Sequence, residues 1–225
     1  MIVSAALCPS PPLLATELTG RADILPDLRT ACTAAIAHLL AATPDVIAVV
    51  GAAQETATWN PDNRLDLSAY APLAGGHGKP GLPLAIGIGV LLLDEAAYTG
   101  RRILQAVDES AQPGDCLWLG RGLAAAAPRV GLLAIGDGST RRGLAAPGYL
   151  DERAIPFDDA VQQALRDSDM AALAAIDPDL ARDLMATGRA AWQVLAGAFA
   201  DASPATDITY AADPFGVAYL VATLT

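Results

Sequence analysis

Short apolar runs rich in branched residues alternate along this chain with longer stretches in which apolar residues recur every three or four positions. The first pattern predicts buried strands and the second helices. Strands are predicted at residues 2–7, 46–50, 103–107, 130–135, 208–210 and 217–224. In the stretch 28–42, Ala31, Ala35, Leu39 and Ala42 share one helical face, and Pro44-Asp45 stops the helix before the next strand. Strand, helix and strand in that order make a βαβ unit, which implies parallel pairing. Further helices are predicted at 82–93, 158–165, 170–176, 180–185 and 190–199, and the alanine-rich stretch 124–127 reads as the end of another. The expected architecture is therefore α/β, a single domain over residues 1–225 with a central, largely parallel but mixed β-sheet flanked by helices. Two segments lack a clean period. Residues 52–82 form a long irregular stretch of the kind that is often functional, and Pro9-Ser10-Pro11-Pro12 stiffens the turn after the first strand.

Composition narrows the function classes. With 225 residues, 53% of them hydrophobic, the chain can bury one sizeable core. Acidic residues number 25 against 14 basic ones, a formal charge of -11, so nucleic acid and acidic membrane surfaces are repelled at long range and are excluded as partners. The longest apolar run, 82–93, contains Pro83 and two glycines and has about half the ~20 residues a spanning helix needs, so it reads as a buried helix. The start of the chain has no basic leader, and a cytoplasmic location is expected. Cys8, Cys32 and Cys116 include no CxxC pair, which predicts reduced thiols rather than a disulfide framework or a structural zinc site.

The candidate chemistry gathers after the 130–135 strand, in Gly136-Asp137-Gly138-Ser139-Thr140-Arg141-Arg142. Ligands of α/β proteins usually bind at the carboxyl ends of strands. Asp137 there is a candidate base or ligand-binding acid, or alternatively the acceptor of an Asx-type turn. Ser139 and Thr140, with Arg141 beside them, could bind an anion in a glycine-rich turn, the alternative being a solvated loop. Cys8, at the end of the first strand, joins them if the two strands are neighbours, as a thiol nucleophile or a buried bystander. Gln54 and Glu55 follow the second strand, and Glu55 with Asp137 would suit Mg2+ or Ca2+ if both face one crevice. His77, in Gly75-Gly76-His77-Gly78-Lys79, could act from a closing lid. His38 lies on a helix and reads as structural. Ser139 lacks the Gly-x-Ser-x-Gly elbow of a serine hydrolase, and Gly87-Ile88-Gly89 lacks the third glycine of a dinucleotide fingerprint.

Four blocks resemble the class III extradiol ring-cleavage dioxygenase superfamily, which includes the Memo-like proteins. Cys8-Pro9-Ser10-Pro11-Pro12-Leu13-Leu14 is similar to the family's Pro-His-Pro-Pro-Leu-Leu turn, with serine for histidine. Val49-Val50-Gly51 resembles the strand leading to its next histidine, where Ala52 and Ala53 stand here. Gly136-Asp137-Gly138-Ser139-Thr140 resembles Gly-Asp-x-Ser-His with threonine for histidine, followed by Ala146-Pro147-Gly148-Tyr149 and Phe157-Asp158. The stretch from Asp213 to Tyr219 is similar to the closing strand motif.

The resemblance implies the family's fold and a crevice at the strand ends. It also implies Fe(II) held by two histidines and a carboxylate, but Ser10, Ala52, Ala53 and Thr140 are poor substitutes for imidazole. The expectation is a fold retained without the iron cofactor or ring cleavage, with Cys8, Ser10, Gln54, Glu55, Ser139, Thr140 and Arg141 lining a pocket for a small molecule or peptide. The alternatives are an enzyme of altered hydrolytic or metal-assisted chemistry centred on Asp137, or a homo-oligomeric interaction protein.

Overall fold

Seven strands make one mixed sheet in the computed structural model, which describes residues 1–20, 22–70, 81–200 and 202–225. The strands are β1 (Ile2–Cys8), β2 (Val46–Ala53), β3 (Ala57–Trp59), β4 (Arg102–Asp108), β5 (Val130–Ile135), β6 (Thr206–Ala212) and β7 (Tyr219–Leu224). Their order is β3-β4-β2-β5-β1-β7-β6. The four central strands β4, β2, β5 and β1 pair in parallel, and β3, β7 and β6 add antiparallel edges. The α/β architecture with a largely parallel centre is thus the one the periodicity predicts. Strands covered on both faces must be apolar throughout, and β5 is buried at all six positions.

Side-chain alternation divides the core into two layers. Ala5, Leu7, Val46, Ala48, Val50, Leu132 and Ala134 face one side, where α4 (Pro113–Ala124), α5 (Ala154–Arg166), α6 (Met170–Ala174), α7 (Pro178–Asp183) and α8 (Arg189–Ala198) pack. Ala6, Cys8, Ile47, Val49, Leu133 and Ile135 face the other, under α2 (Pro26–Ala41) and α3 (Leu84–Glu95). A single-turn helix, α1 (Thr16–Thr19), precedes them. On α2 the buried residues Leu28, Ala31, Cys32, Ala35, Ile36 and Leu39 continue the three-and-four spacing seen in the sequence.

The structure departs from the predicted pattern in two places. The irregular stretch contains β3, whose three residues pair antiparallel with β4, and a bridge between Leu65 and Leu82. Helix α4 ends at Ala124, as the alanine-rich stretch 124–127 predicts, but its body back to Pro113 is hidden in the sequence by Gly114, Gly120 and Gly122. It exists because α8 covers it closely: a Cβ on Gly120 would lie 2.1 Å from the carbonyl oxygen of Val194.

Local capping supports the short helices. The Asp177 carboxylate accepts from the N–H groups of Asp179 at 2.8 Å and Leu180 at 3.3 Å, and Pro178 starts α7 where no donor is missed. Asp177→Ala is expected to cost about 1 kcal/mol of stability, read as a lower urea midpoint with an unchanged slope.

Candidate functional site at the strand ends

The register of the two central strands builds the site. Cys8 on β1 pairs with Ile135 on β5, and the N–H of Gly136 continues the ladder to the carbonyl of Cys8 at 3.0 Å. Two residues further along each chain segment, Ser10 and Asp137 therefore meet, and the Ser10 N–H donates to Oδ1 of Asp137 at 2.6 Å. The backbone of the turn is tied on its other sides. The Asp137 N–H donates to Oγ1 of Thr187 at 3.2 Å, and the Gly188 N–H donates to the Asp137 carbonyl at 2.8 Å. The Gly138 N–H donates to Ala218, whose own N–H returns to Ser139. Glycine is required at 136 and 138 by close approach rather than by dihedral angle. A Cβ at 136 would lie 2.4 Å from Cα of Gly188, and one at 138 would lie 2.7 Å from both Ala218 and the Asp158 carboxylate.

Asp158, on α5, is the latch of this turn and is buried. Its Oδ1 accepts from the Ser139 N–H at 2.9 Å, and its Oδ2 accepts from the Ser139 hydroxyl at 2.5 Å and from Nη1 of Arg142 at 3.1 Å. The Nε of Arg142 donates in turn to Asp213 at 2.8 Å. This corrects the reading of Ser139 as an anion-binding residue. Its side chain is fully buried and already bonded, and the neighbouring Arg142 is committed to two carboxylates. The sequence shows Asp158 only as part of a motif, because its partner lies nineteen positions away.

Asp137 carries the most perturbed chemistry of the site. Burial raises its pKa from 3.8 to about 6, against the opposing bonds from Ser10 that favour the charged form. A carboxyl poised there exchanges its proton close to neutral pH. Tyr219, at the start of β7, is nearly buried, and desolvation together with the Asp137 charge pushes its hydroxyl well above the ordinary range. Sequence reasoning missed both Tyr219 and Thr187, although Tyr219 ends the fourth motif. Thr140 and Arg141 complete the turn. Oγ1 of Thr140 and Nε of Arg141 are buried without a hydrogen-bond partner among the described residues. Such orphaned groups are rare and costly unless something else satisfies them.

The remaining candidates fall elsewhere. Cys8 is fully buried on the α2 side of β1, and the adjacent Cys32 thiol and desolvation raise its pKa. It therefore lines no open pocket and is a poor nucleophile. Gln54 and Glu55 are exposed in the bend after β2, with no bond to Asp137. The shared carboxylate pair for Mg2+ or Ca2+ is thus not assembled. His77 lies outside the described residues.

The donors about Asp137 do not fit Fe(II). Ser10 is held by its backbone beside the carboxylate, Thr140 offers a hydroxyl, and Ala52 and Ala53 offer nothing. His38 is exposed on α2. No group of three or more His, Cys, Asp or Glu side chains suited to a metal occurs among the described residues, and a single carboxylate with hydroxyls lacks the imidazole nitrogens of an oxygen-activating iron site.

Two cavities adjoin the turn. One, of about 120 Å3, is lined by Gly138, Arg142, Asp158, Gln162, Trp192 and Tyr219. The other, of about 580 Å3, opens beyond the end of β4 between Ser110, Arg182, Thr187 and Arg189. Arg189 is buried, and its guanidinium donates to the carbonyls of Ala111 and Glu109 and to Gln193. Thr187 links this larger cavity to the backbone of Asp137. No helix among the described residues is long and apolar enough to cross a membrane.

No protein-family model matches the chain, and no curated protein matches it. Among solved structures, it is similar to the crystal structure of the uncharacterized protein JW3007 from Escherichia coli K12. The two share 15% sequence identity over 99% of this chain and 100% of that one, with a TM-score of 0.61. At that identity the likeness establishes a shared α/β fold over the whole length and carries no activity with it.

Proposed function

We propose that this chain is a divergent relative of the class III extradiol dioxygenases that has lost iron-dependent ring cleavage and binds a small polar molecule at its strand ends. The observation that carries the reading is Asp137: a desolvated carboxyl with a pKa of about 6, fixed by the Ser10 N–H at 2.6 Å at the end of a central parallel strand. The orphaned Thr140 hydroxyl and Arg141 Nε in the same turn support it, because a bound ligand would satisfy them. A ligand with hydroxyl or amine donors matches the ionised carboxylate. The three free cysteines agree with a cytoplasmic setting. A second reading, an enzyme using Asp137 as a general acid or base, draws on the same pKa.

Ligand-observed NMR against a library of hydroxylated and amino compounds tests the proposal. Hits are expected to lose roughly tenfold or more in affinity on Asp137→Asn, and wild-type affinity is expected to rise through pH 6 as the carboxyl ionises. Turnover of a hit, abolished by the same substitution, would select the enzyme reading. Tight stoichiometric Fe(II) binding with oxygen-dependent cleavage of a catechol would overturn the loss of iron chemistry.

A further inference from the structure

We propose that the cavity beyond the end of β4 is a binding site for a small aliphatic monocarboxylate, held through Arg189. Arg189 opens α8 and is only 2% exposed, yet it lines this cavity of about 580 Å3. The site is separate from the Asp137 carboxyl, which does not line it. Buried cations are normally matched by a carboxylate. None of the ion pairs among the described residues includes Arg189. Its acceptors are neutral instead. Nη1 donates to the Ala111 carbonyl at 2.6 Å, to Oε1 of Gln193 at 3.0 Å and more weakly to Sγ of Cys116 at 3.9 Å, and Nη2 donates to the Glu109 carbonyl. Of the guanidinium's N–H groups, the one on Nε and the second on Nη2 make no bond among the described residues. Asp108 feels this charge, but its carboxylate is taken by the Ser110 N–H and hydroxyl, both at 2.7 Å. The positive charge is thus positioned by neutral groups and left for an anion from outside the chain.

The rest of the cavity defines the anion. Two helices begin at it: Gln112 is the N-cap of α4, and Arg189 and Ala190 form the first turn of α8. Neither N-cap supplies a side-chain bond, so both helix dipoles add positive potential there. Four charged residues line the cavity. Arg182 and Asp179 pair with each other at 2.6 Å, Glu109 is exposed, and Arg189 alone is buried. The carboxylates of Glu109 and Asp179, on a chain of net charge -11, repel a second negative charge, which selects a monoanion. Pro178, Ala181, Met185, Ala186 and Ala190 supply an apolar wall, and the volume falls in the ~300–1,000 Å3 range of small-molecule sites. A bare inorganic ion leaves that wall unused, whereas the aliphatic chain of a monocarboxylate covers it.

Amide NMR of the isotopically labelled full chain, titrated with sodium butyrate against sodium chloride of equal ionic strength, tests the proposal. Saturable shifts are expected at residues 109–112 and 178–190, and butyramide, which lacks the charge, is expected to bind about tenfold more weakly or worse. Arg189→Lys keeps the charge but not the planar fork, and is expected to weaken butyrate about tenfold. Because Arg189 also ties the connection between β4 and α4, two isosteric variants at exposed positions keep the test independent of folding. Gln112→Glu adds a negative charge to the lining and is expected to weaken butyrate about threefold, and Glu109→Gln removes one and is expected to strengthen it about threefold. Butyrate affinity indifferent to both variants would overturn the proposal, as would the absence of saturable shifts at millimolar butyrate. Shifts centred on residues 136–142 with none at 178–190 would place the anion at the Asp137 turn and overturn it too. Inorganic phosphate bound as tightly as butyrate would overturn the monocarboxylate assignment.

Discussion

Replacing Asp158 with alanine is expected to lower the unfolding free energy by about 3–5 kcal/mol, the cost of stranding buried partners of an ionised group. The carboxylate is buried and accepts three bonds, two from Ser139 and one from Arg142. Alanine leaves the buried Ser139 N–H and hydroxyl without their carboxylate acceptor. Arg142 keeps Asp213, so its charge is not stranded entirely. Asp158→Asn retains an acceptor for the Ser139 N–H and is expected to lose less, with the deficit concentrated in the Arg142 contact. Urea denaturation of Asp158→Ala, Ser139→Ala and the double variant, read as a double-mutant cycle, separates the contributions. Equal, small losses for all of them would show that the turn is held by its backbone bonds alone.

At pH 8 Asp137→Asn is expected to stabilise the protein by about 2–3 kcal/mol, and the gain is expected to vanish near pH 4. A pKa raised from 3.8 to about 6 means that the folded state binds the proton more tightly than the unfolded chain. Between those values the folded state holds more protons, so wild-type stability falls as pH rises from about 4 to about 6 and is flat above. The rise corresponds to about 3 kcal/mol of penalty on the ionised form. Asparagine removes the charge and keeps an oxygen for the Ser10 N–H. Other carboxylates act in a different window: Asp66, Asp108 and Asp151 are held low by hydrogen bonds from Ser68, Ser110 and Arg153, and their contribution is lost only as pH falls below about 4. Chemical denaturation of wild type and variant across pH 4 to pH 8 reads the difference directly. A variant less stable by the same amount at every pH would instead mark Asp137 as a turn-forming group. A carboxylate retained where an amide would be more stable is the trade expected of a functional residue.

Much of the fold was legible in the sequence because strands and helices announce themselves through spacing between near neighbours. The 130–135 run coincides with β5, and the ladder of Ala31, Ala35 and Leu39 lies on the buried face of α2. Two elements escaped that logic. Strand β3 is three residues long, too short for any period, and pairs only because the edge of β4 is open to it. Helix α4 carries three glycines that lower its intrinsic helicity, and one of them, Gly120, is the reason it can lie so close to α8.

The site was legible as a place but not as a set of roles. The glycine-flanked acid after a buried run pointed correctly to the end of a central strand, and the lack of imidazole at Ser10, Ala52, Ala53 and Thr140 could be read from residue types alone. Residue type and local spacing settle such questions, and by themselves they determined most of the strands and helices, the layer logic of an α/β protein and the poverty of imidazole ligands. Only the tertiary structure decided that Ser10 clamps Asp137 across 127 positions, that Thr187 meets the same turn from 50 positions away, that Ser139 is spent on Asp158, and that Cys8 is buried against Cys32 under α2. Desolvation and hydrogen-bond partners are supplied by residues distant in the chain, so the pKa of Asp137 arises only once the sheet has brought them together.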